Sequence, residues 1–477
     1  MSAPDLTAAV MASLRGCGAE KHTTLLLGAG ASTTSGLPGW DELVVRLLVD
    51  SGVVPDGEAG ALVVSRQDPL IAVAAAREAY GAAWDRKLRA ALYDGIPSVE
   101  ISPLHYAAVA HALGGDPAET SLATLNFDTL LEHALRAETE YPVIAATGED
   151  APPGLPTYVV RHLHGIVSPT QTRDVVLTLT DFLDLVAERD SWQSVFLRQA
   201  VGRGALIIAG TSYRDPDVRQ WLHAALAEAP REHAAVVLLA RQGFDVTKAQ
   251  FAELAKALSG QWTAIGLRPV LLDDFSDAAQ VIRELRHVDS PGYRAPQERI
   301  AQIWDHHLEG FLPLQQEYVE QLRVDADDLR SAFDVDVLNL SLWLSDGRGM
   351  LARWAAQDRV FLDRHGLRRV ETGFDSPWIA GQALGSDTLL HKDLPRDGVH
   401  RWTSVLALPL PAPHPVLPTA TAGVLTIGLP EAAARYEGSK LLWGETLARV
   451  GDAWSSRLTR PVFAEAATTI ETVDEED

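Results

Sequence analysis

The chain of 477 residues has a single cysteine, Cys17, which excludes an intramolecular disulfide and any cysteine-rich zinc site. It has no apolar run near the roughly 18 residues that a membrane helix needs. Cationic side chains are in deficit: 41 Lys and Arg stand against 64 Asp and Glu, a formal net charge of −23 with no local Lys/Arg cluster. That balance argues against a nucleic-acid backbone as the main partner. The N-terminal stretch MSAPDLTAAVMASLRGC places an apolar patch before a cysteine, as a lipoprotein signal would. Asp5 stands where a basic start belongs and Arg15 where small residues belong, so a cytoplasmic protein is expected. No internal repeat is present.

Hydrophobic residues make up 47% of the chain and charged residues 22%, the balance of a packed protein too long for one core. From Thr23 to about Leu272, short apolar runs alternate with amphipathic stretches. HTTLLLG (22–28), SLATLNFD (121–128), YVVRHLHG (158–165), GALIIAG (204–210) and HAAVVLLA (233–240) are near-continuous apolar runs, as parallel strands covered on both faces require. In GWDELVVRLLVDSG, Trp40, Leu43, Val44, Leu47 and Leu48 share one helical face. The expected architecture is an α/β, doubly wound, mostly parallel sheet, with ligands beyond the carboxyl ends of its strands.

HVDSPGYRAPQERI (287–300) marks a boundary. A helical stretch follows, carrying Ile300, Ile303, Trp304, Leu308 and Phe311, with a break expected at Pro313 and a resumption through Tyr318, Leu322 and Leu329. DVLNLSLWLSD, MLARWAA, WTSVLALPLP and AGVLTIGLP then read as antiparallel strands, and AAARYEGSKLLWGETLARVGDAWSSRL as a closing helix, an α+β domain. The expected division is residues 1–286 as a nucleotide-binding catalytic domain, 287–334 as linker and helical seam, 335–462 as a second domain and 463–477 as a frayed acidic tail.

The segment LGAGASTTSGLPGW is strand, glycine loop, helix, a place where an anion can approach bare backbone. Alone it could equally be a tight turn: Thr33 stands where GxGxxG needs its third glycine, and no Gly-Lys-Ser/Thr follows. Three more segments end predicted strands: TLNFD (124–128), LHG (163–165) and GTS (210–212). Singly these too have plain readings. Asn126 and Asp128 could cap a turn before DTLLEHAL, His164 could be a structural histidine with His162 as its neighbour, and Thr211 and Ser212 could start a helix that Asp215 and Asp217 cap.

In their identity and order the four segments resemble the sirtuin superfamily over about residues 20–275. Two features set this chain apart from protein-deacetylating sirtuins. No zinc-binding cysteines lie between His164-Gly165 and Gly210-Thr211-Ser212, where VVLTLTDFLDLV reads as a strand running into a helix. Pro38-Gly39-Trp40-Asp41 and Leu125 replace residues that frame an acyl-lysine peptide. The chain is in these respects similar to divergent, zinc-free bacterial sirtuin-like domains of antiphage defence proteins, including their Gly-x-Ser-x-x-Asp-Pro stretch.

The resemblance implies an NAD hydrolase acting in antiviral defence by abortive infection, with NAD as substrate and no metal. It implies Asn126 and His164 as catalytic residues, Asn126 orienting ribose and water and His164 serving as base. Phe127 and Asp128 would hold nicotinamide, Gly28, Ala29, Gly30 and Ser32 the pyrophosphate, and Gly210, Thr211 and Ser212 the adenosine-side ribose. His162 would be a bystander and Cys17 inert. An NAD-dependent deacylase, an ADP-ribosyltransferase and a non-catalytic NAD or ADP-ribose sensor stay open. Residues 330–460 resemble a GAF domain through Ser404–Leu410 and Gly423-Val424-Leu425, with a ligand pocket expected near 370–400, around Trp378 and HKDL. That domain is expected either to receive an unidentified trigger ligand or protein or only to pack, oligomerise or recognise another protein, and the seam 296–334 to pack against a second copy in a homo-oligomer.

Overall fold

A computed structural model describes residues 10, 11, 14, 22–96, 99–148, 157–187, 191–211, 216–227, 235–395 and 401–474. The chain divides into two units, Ala12–Arg286 and His287–Asp477, with Val10 and Met11 grouped with the second.

In the first unit, strands β1 (His22–Leu27), β2 (Thr120–Thr124), β3 (Val143–Ala146), β4 (Tyr158–His162), β7 (Gly204–Ala209), β8 (Ala235–Ala240) and β9 (Arg268–Leu272) form one sheet. Ile166–Val167 (β5) and Thr172–Arg173 (β6) make a small antiparallel pair outside it. The sheet order is β3-β4-β2-β1-β7-β8-β9, and every pairing is parallel. All the carboxyl ends therefore share one edge. β1 sits centrally, with β2 and β4 on one side and β7 on the other, which is the switch point where doubly wound sheets open a crevice. The strands are apolar because both faces are covered: every residue of β7 and β8 is buried.

The five runs expected as strands all form them. β3 and β9 were not anticipated, since VIAA and RPVLL are short and half-buried at the sheet edges. VVLTLT is not a strand. Residues 175–178 run without a ladder partner beyond Val176 N–H donating to the His164 carbonyl at 3.0 Å, and a helix (α4, below) starts at Leu179. The helices needed below are α1 (Ala29–Thr33), α2 (Trp40–Asp50), α3 (Leu130–Glu138), α4 (Leu179–Ala187), α5 (Trp192–Arg203) and α6 (Pro216–Ala227). In α2 the expected face is buried: Leu43, Val44, Leu47 and Leu48 pack inward.

The second unit holds a six-stranded antiparallel sheet of β10 (Asn339–Ser345), β11 (Met350–Ala356), β12 (Arg369–Glu371), β13 (Leu390–Asp393), β14 (Ser404–Ala412) and β15 (Ala420–Leu429), in the order β12-β11-β10-β15-β14-β13. Pro409 and Pro411 are tolerated in β14 because β13 pairs only with Ser404–Ala407, leaving the later residues on an open edge. His391, Lys392 and Asp393 of the HKDL run lie on the edge strand β13.

Helices α7 (Pro296–Glu309), α8 (Phe311–Phe333), α9 (Ile379–Ser386) and α10 (Lys440–Asp474) belong to the unit, and one helical turn at Ala434–Glu437 precedes α10, so the expected closing helix is divided there. The helical break falls at Gly310. Pro313 lies within the first turn of α8, where its missing N–H has no intrahelical partner to lose. The apolar residues of the seam, Ile303, Trp304, Phe311, Tyr318, Leu322 and Leu329, are buried in this unit's own core, while Leu312 and Val324 on α8 stay exposed. α10 runs through Asp474, so most of the expected frayed tail is helical.

Trp354 centres this core, edge-on to Phe311 at 5.1 Å and to Trp304 at 5.5 Å. Beside it His307 places Nδ1 2.7 Å from the Ile303 carbonyl and Nε2 2.8 Å from the Tyr318 hydroxyl. Burial pulls its pKa from 6.5 down to about 4, so the folded chain holds it neutral. The unfolded chain takes up a proton near pH 6.5 that folded His307 refuses until about 4. Its contribution to stability is therefore complete above pH 6.5 and is lost on acidification, by about 1.4 kcal/mol per pH unit. Melting temperatures between pH 7 and 4.5 should show a shallower fall in His307→Gln than in the parent chain.

Candidate functional site

The main-chain turn after β2 is held on three successive carbonyls. Leu125 O lies 3.3 Å from His164 Nδ1, Asn126 O lies 3.0 Å from His162 Nδ1, and Phe127 O accepts from Val167 N–H at 2.7 Å. Its other side is tied to β1, with Leu125 N–H donating to Leu27 O at 2.8 Å and Thr124 Oγ1 donating to the same carbonyl at 3.1 Å, while Asn126 N–H donates within the turn to Thr124 Oγ1 at 3.0 Å. The turn cannot shift without breaking bonds to two neighbouring strands.

The side chains then meet the glycine loop. Asn126 Nδ2 donates to Gly28 O at 3.1 Å and to Ser32 Oγ at 2.7 Å, and Ser32 donates in turn to Asp128 Oδ2 at 2.7 Å. Asp128 Oδ1 accepts from Leu130 N–H at 3.1 Å, so the residue also holds the start of α3. The cap reading of Asp128 is met by that bond, and the same residue lines the cavity described below. Burial raises its pKa against the pull of the Ser32 and Leu130 donors.

Because a carbonyl oxygen only accepts, His164 Nδ1 must carry the proton facing Leu125 O, which leaves Nε2 as the basic nitrogen of the neutral ring. The ring sits between Phe127, at 6.5 Å between centroids, and Trp221 of α6, at 5.9 Å.

Glycine is required next to this histidine. Gly165 has φ +89°, and a Cβ there would lie 2.2 Å from the Asp174 carbonyl oxygen. At Gly28 a Cβ would lie 2.6 Å from Thr211 Cα, so the backbones of the β1 and β7 ends can only meet without a side chain.

These groups open on a cavity of about 230 Å³. Ser32, Asp68, Asn126, Asp128 and His164 are its polar lining residues, beside Ala29, and Leu37, Trp40, Leu70, Phe127 and Phe182 are among the apolar ones. Six of the expected site residues thus converge: Ala29, Ser32, Asn126, Phe127, Asp128 and His164. Gly28, Gly30, Gly210 and Thr211 lie behind the wall. Gly28 N–H donates to Ala209 O at 2.9 Å and Gly30 N–H to Gly210 O at 2.6 Å, and Thr211 is buried. The Gly30 donor and the Ser32 hydroxyl, both expected to face pyrophosphate, are thus engaged within the protein. Ser212, Cys17 and Asp215 lie outside the described residues, as does the Asp217 side chain.

Sequence reasoning missed the walls and the second layer. Trp40 and Phe182 were legible only as helix residues, and Glu132 only as a charge on α3. His162 was set aside as a bystander, yet it is fully buried against the turn. Among the described residues no group of three or more His, Cys, Asp and Glu is placed to hold a metal, and no helix is long and apolar enough to cross a membrane.

A family model described as a SIR2-like domain matches residues 120–269. The match covers β2, β4 and β7 with their following turns and begins after the glycine loop. The fold delivers that loop to the same edge through β1, which pairs with both β2 and β7. No curated protein matches the chain. Solved structures similar to it include the second GAF domain of DevS from Mycobacterium smegmatis, with 18% identity over 28% of this chain and 94% of that one and a TM-score of 0.19. The GAF domain from an Acinetobacter phosphoenolpyruvate-protein phosphotransferase is 15% identical over 31% of this chain and 93% of that one, with a TM-score of 0.18.

Gly165→Ala should destabilise the first unit by about 2 kcal/mol or more, since both φ and space forbid the methyl. Gly202→Ala, on α5 with open space around it, should be neutral or stabilising by up to about 1 kcal/mol. Denaturant unfolding of the two variants checks the contrast; equal losses would refute it.

Proposed function

We propose that the first unit hydrolyses NAD to nicotinamide and ADP-ribose. The observation that carries this reading is the convergence of Asn126, Asp128, Ser32 and a His164 with a basic Nε2 on one cavity at the strand ends. The donor set suits the substrate. Leu37, Trp40, Phe127 and Phe182 offer an apolar berth for an aromatic ring, and the polar lining residues offer partners for a carboxamide and ribose hydroxyls.

The bond to be broken joins C1′ of ribose to a nitrogen that is already cationic, so the leaving group needs no acid. Positioning and stabilisation of the oxocarbenium-like carbon do most of the chemistry. Water forms a bond to C1′, the electron pair of the C–N bond leaves with nicotinamide, and the water proton passes to His164, directly or through a ribose hydroxyl. Asn126 orients ribose and water. Asp128, held by Ser32 and Leu130, fixes the carboxamide. Binding of the pyrophosphate would draw on the Ala29 backbone and on rotation of the Ser32 hydroxyl away from Asp128.

We further assign the second, GAF-like unit the role of control, and the whole chain that of an NAD-depleting effector in antiviral defence. An enzyme that drains NAD must be held silent. Suppression to about one part in a hundred needs roughly 2.7 kcal/mol of differential binding, within reach of one ligand or one subunit interface.

Nicotinamide release, measured with and without an acylated peptide, tests the reaction; release only with peptide would make the chain a deacylase. His164→Ala should lower turnover at least about 100-fold with little change in melting temperature. Asn126→Ala should do the same while losing about 1–2 kcal/mol of stability, because its amide bridges two loops. Residues 1–286 expressed alone should deplete cellular NAD without control or be inactive for want of assembly. Regulation identical to that of the full chain would remove the second unit from the scheme.

A further inference from the structure

Behind the cavity, Glu132 and His162 form a pair that the proposed chemistry does not use. His162 Nε2 lies 2.6 Å from Glu132 Oε1, and both side chains are fully buried. On its other side His162 Nδ1 faces the Asn126 carbonyl at 3.0 Å. One partner is a carbonyl and the other a carboxyl group, so the pair holds a shared proton and presents Nδ1–H to the turn. Burial lowers the histidine's pKa, and the Glu132 hydrogen bond and charge overcome this to leave it raised.

Such a pair is a poor device for stability. Taking two charges out of water offsets much of their attraction, and apolar replacements of similar volume are often neutral or stabilising. Glu132 Oε2 is buried with no partner, an added cost. What the pair does accomplish is geometric. It reaches from α3 to the one carbonyl of the turn whose own residue bears the Asn126 amide, two positions before Asp128.

We infer that Glu132 and His162 are positioning residues, which aim the Asn126 and Asp128 side chains into the cavity by holding the Asn126 carbonyl. The inference rests on the NAD-hydrolase reading for its consequence in turnover and on geometry alone for its effect on the turn. Misplacement of a reacting group by about 1 Å can cost about 100-fold in rate, whereas binding spread over a whole dinucleotide changes little.

The test uses the full chain and three variants: Glu132→Leu/His162→Leu together, His162→Ala, and Glu132→Gln. Each is measured for kcat and KM with NAD, and for amide hydrogen exchange over residues 122–130. The apolar double variant should keep the parent melting temperature or exceed it, with kcat lowered at least tenfold, KM within about threefold, and faster exchange at 125–128. His162→Ala should show the same kinetic split. Glu132→Gln should recover most of kcat, because its amide can donate to Nε2 and leave Nδ1–H on the Asn126 carbonyl. Parent kcat in both His162 variants, or exchange at 125–128 unchanged in them, would overturn the inference. If the double variant does not fold, His162→Ala and Glu132→Gln decide it. If the parent chain releases no nicotinamide, the hydrolase reading fails, and exchange at 125–128 alone then supports or overturns the positioning role.

Discussion

The grip on three successive carbonyls, Leu125, Asn126 and Phe127, is the constraint from which the rest of the site follows. A turn after a parallel strand normally has free carbonyls facing solvent. Here the last residue of β4 and the segment after it supply a donor to each, from His164, His162 and Val167. Those donors stand at the right heights because β2 and β4 are paired in register, Thr124 beside His162. His162 ends the strand, Leu163 enters the core, and His164 follows on the cavity side.

With the turn fixed, the side chains on it acquire fixed jobs. Asn126 reaches the glycine loop, and that loop can come so near only because Gly28 lacks a Cβ against Thr211. Ser32 then links amide to carboxylate, so Asn126, Ser32 and Asp128 form one chain of hydrogen bonds in a buried setting. Such chains polarise their members and restrict each to few orientations. Two buried acids, Asp128 and Glu132, share this region with two buried histidines, of which His162 is the one paired with Glu132. Burial raises the Asp128 pKa, whereas the His162 pKa is raised by the Glu132 hydrogen bond and charge against the pull of burial. Charge economy and geometry thus favour the same arrangement.

The parallel sheet was legible in the sequence because strands covered on both faces must be apolar throughout, and five such runs stood out. The edge strands β3 and β9 were not, since half-covered strands carry mixed residues. VVLTLT shows the opposite error. Its β-branched residues suit a strand, but among the described residues its one ladder-like bond is that from Val176 N–H to the carbonyl of His164. In the second unit four of the six strands were visible, but the short edge strands β12 and β13 were not, and the helical break was placed at Pro313 when Gly310 makes it. A proline in a first turn costs a helix nothing, so its presence alone could not decide the position.

The site was legible in part for a related reason. Asn126, Asp128, Ser32 and His164 are polar residues beside apolar runs, at strand ends where a doubly wound sheet opens. Glu132 and His162 have the same chemistry but lie one layer further in, on a helix face and at a strand terminus. In one dimension nothing separates a buried charge from a solvated one. His162 and His164 are two residues apart in a strand-like run and so read as equivalents, one active and one spare. In three dimensions they hold adjacent carbonyls of one turn, and the ring that faces away from the cavity is as firmly fixed as the ring that faces it. Removing the inner histidine would leave the outer one in place, yet the amide between them would lose the carbonyl bond that fixes its direction.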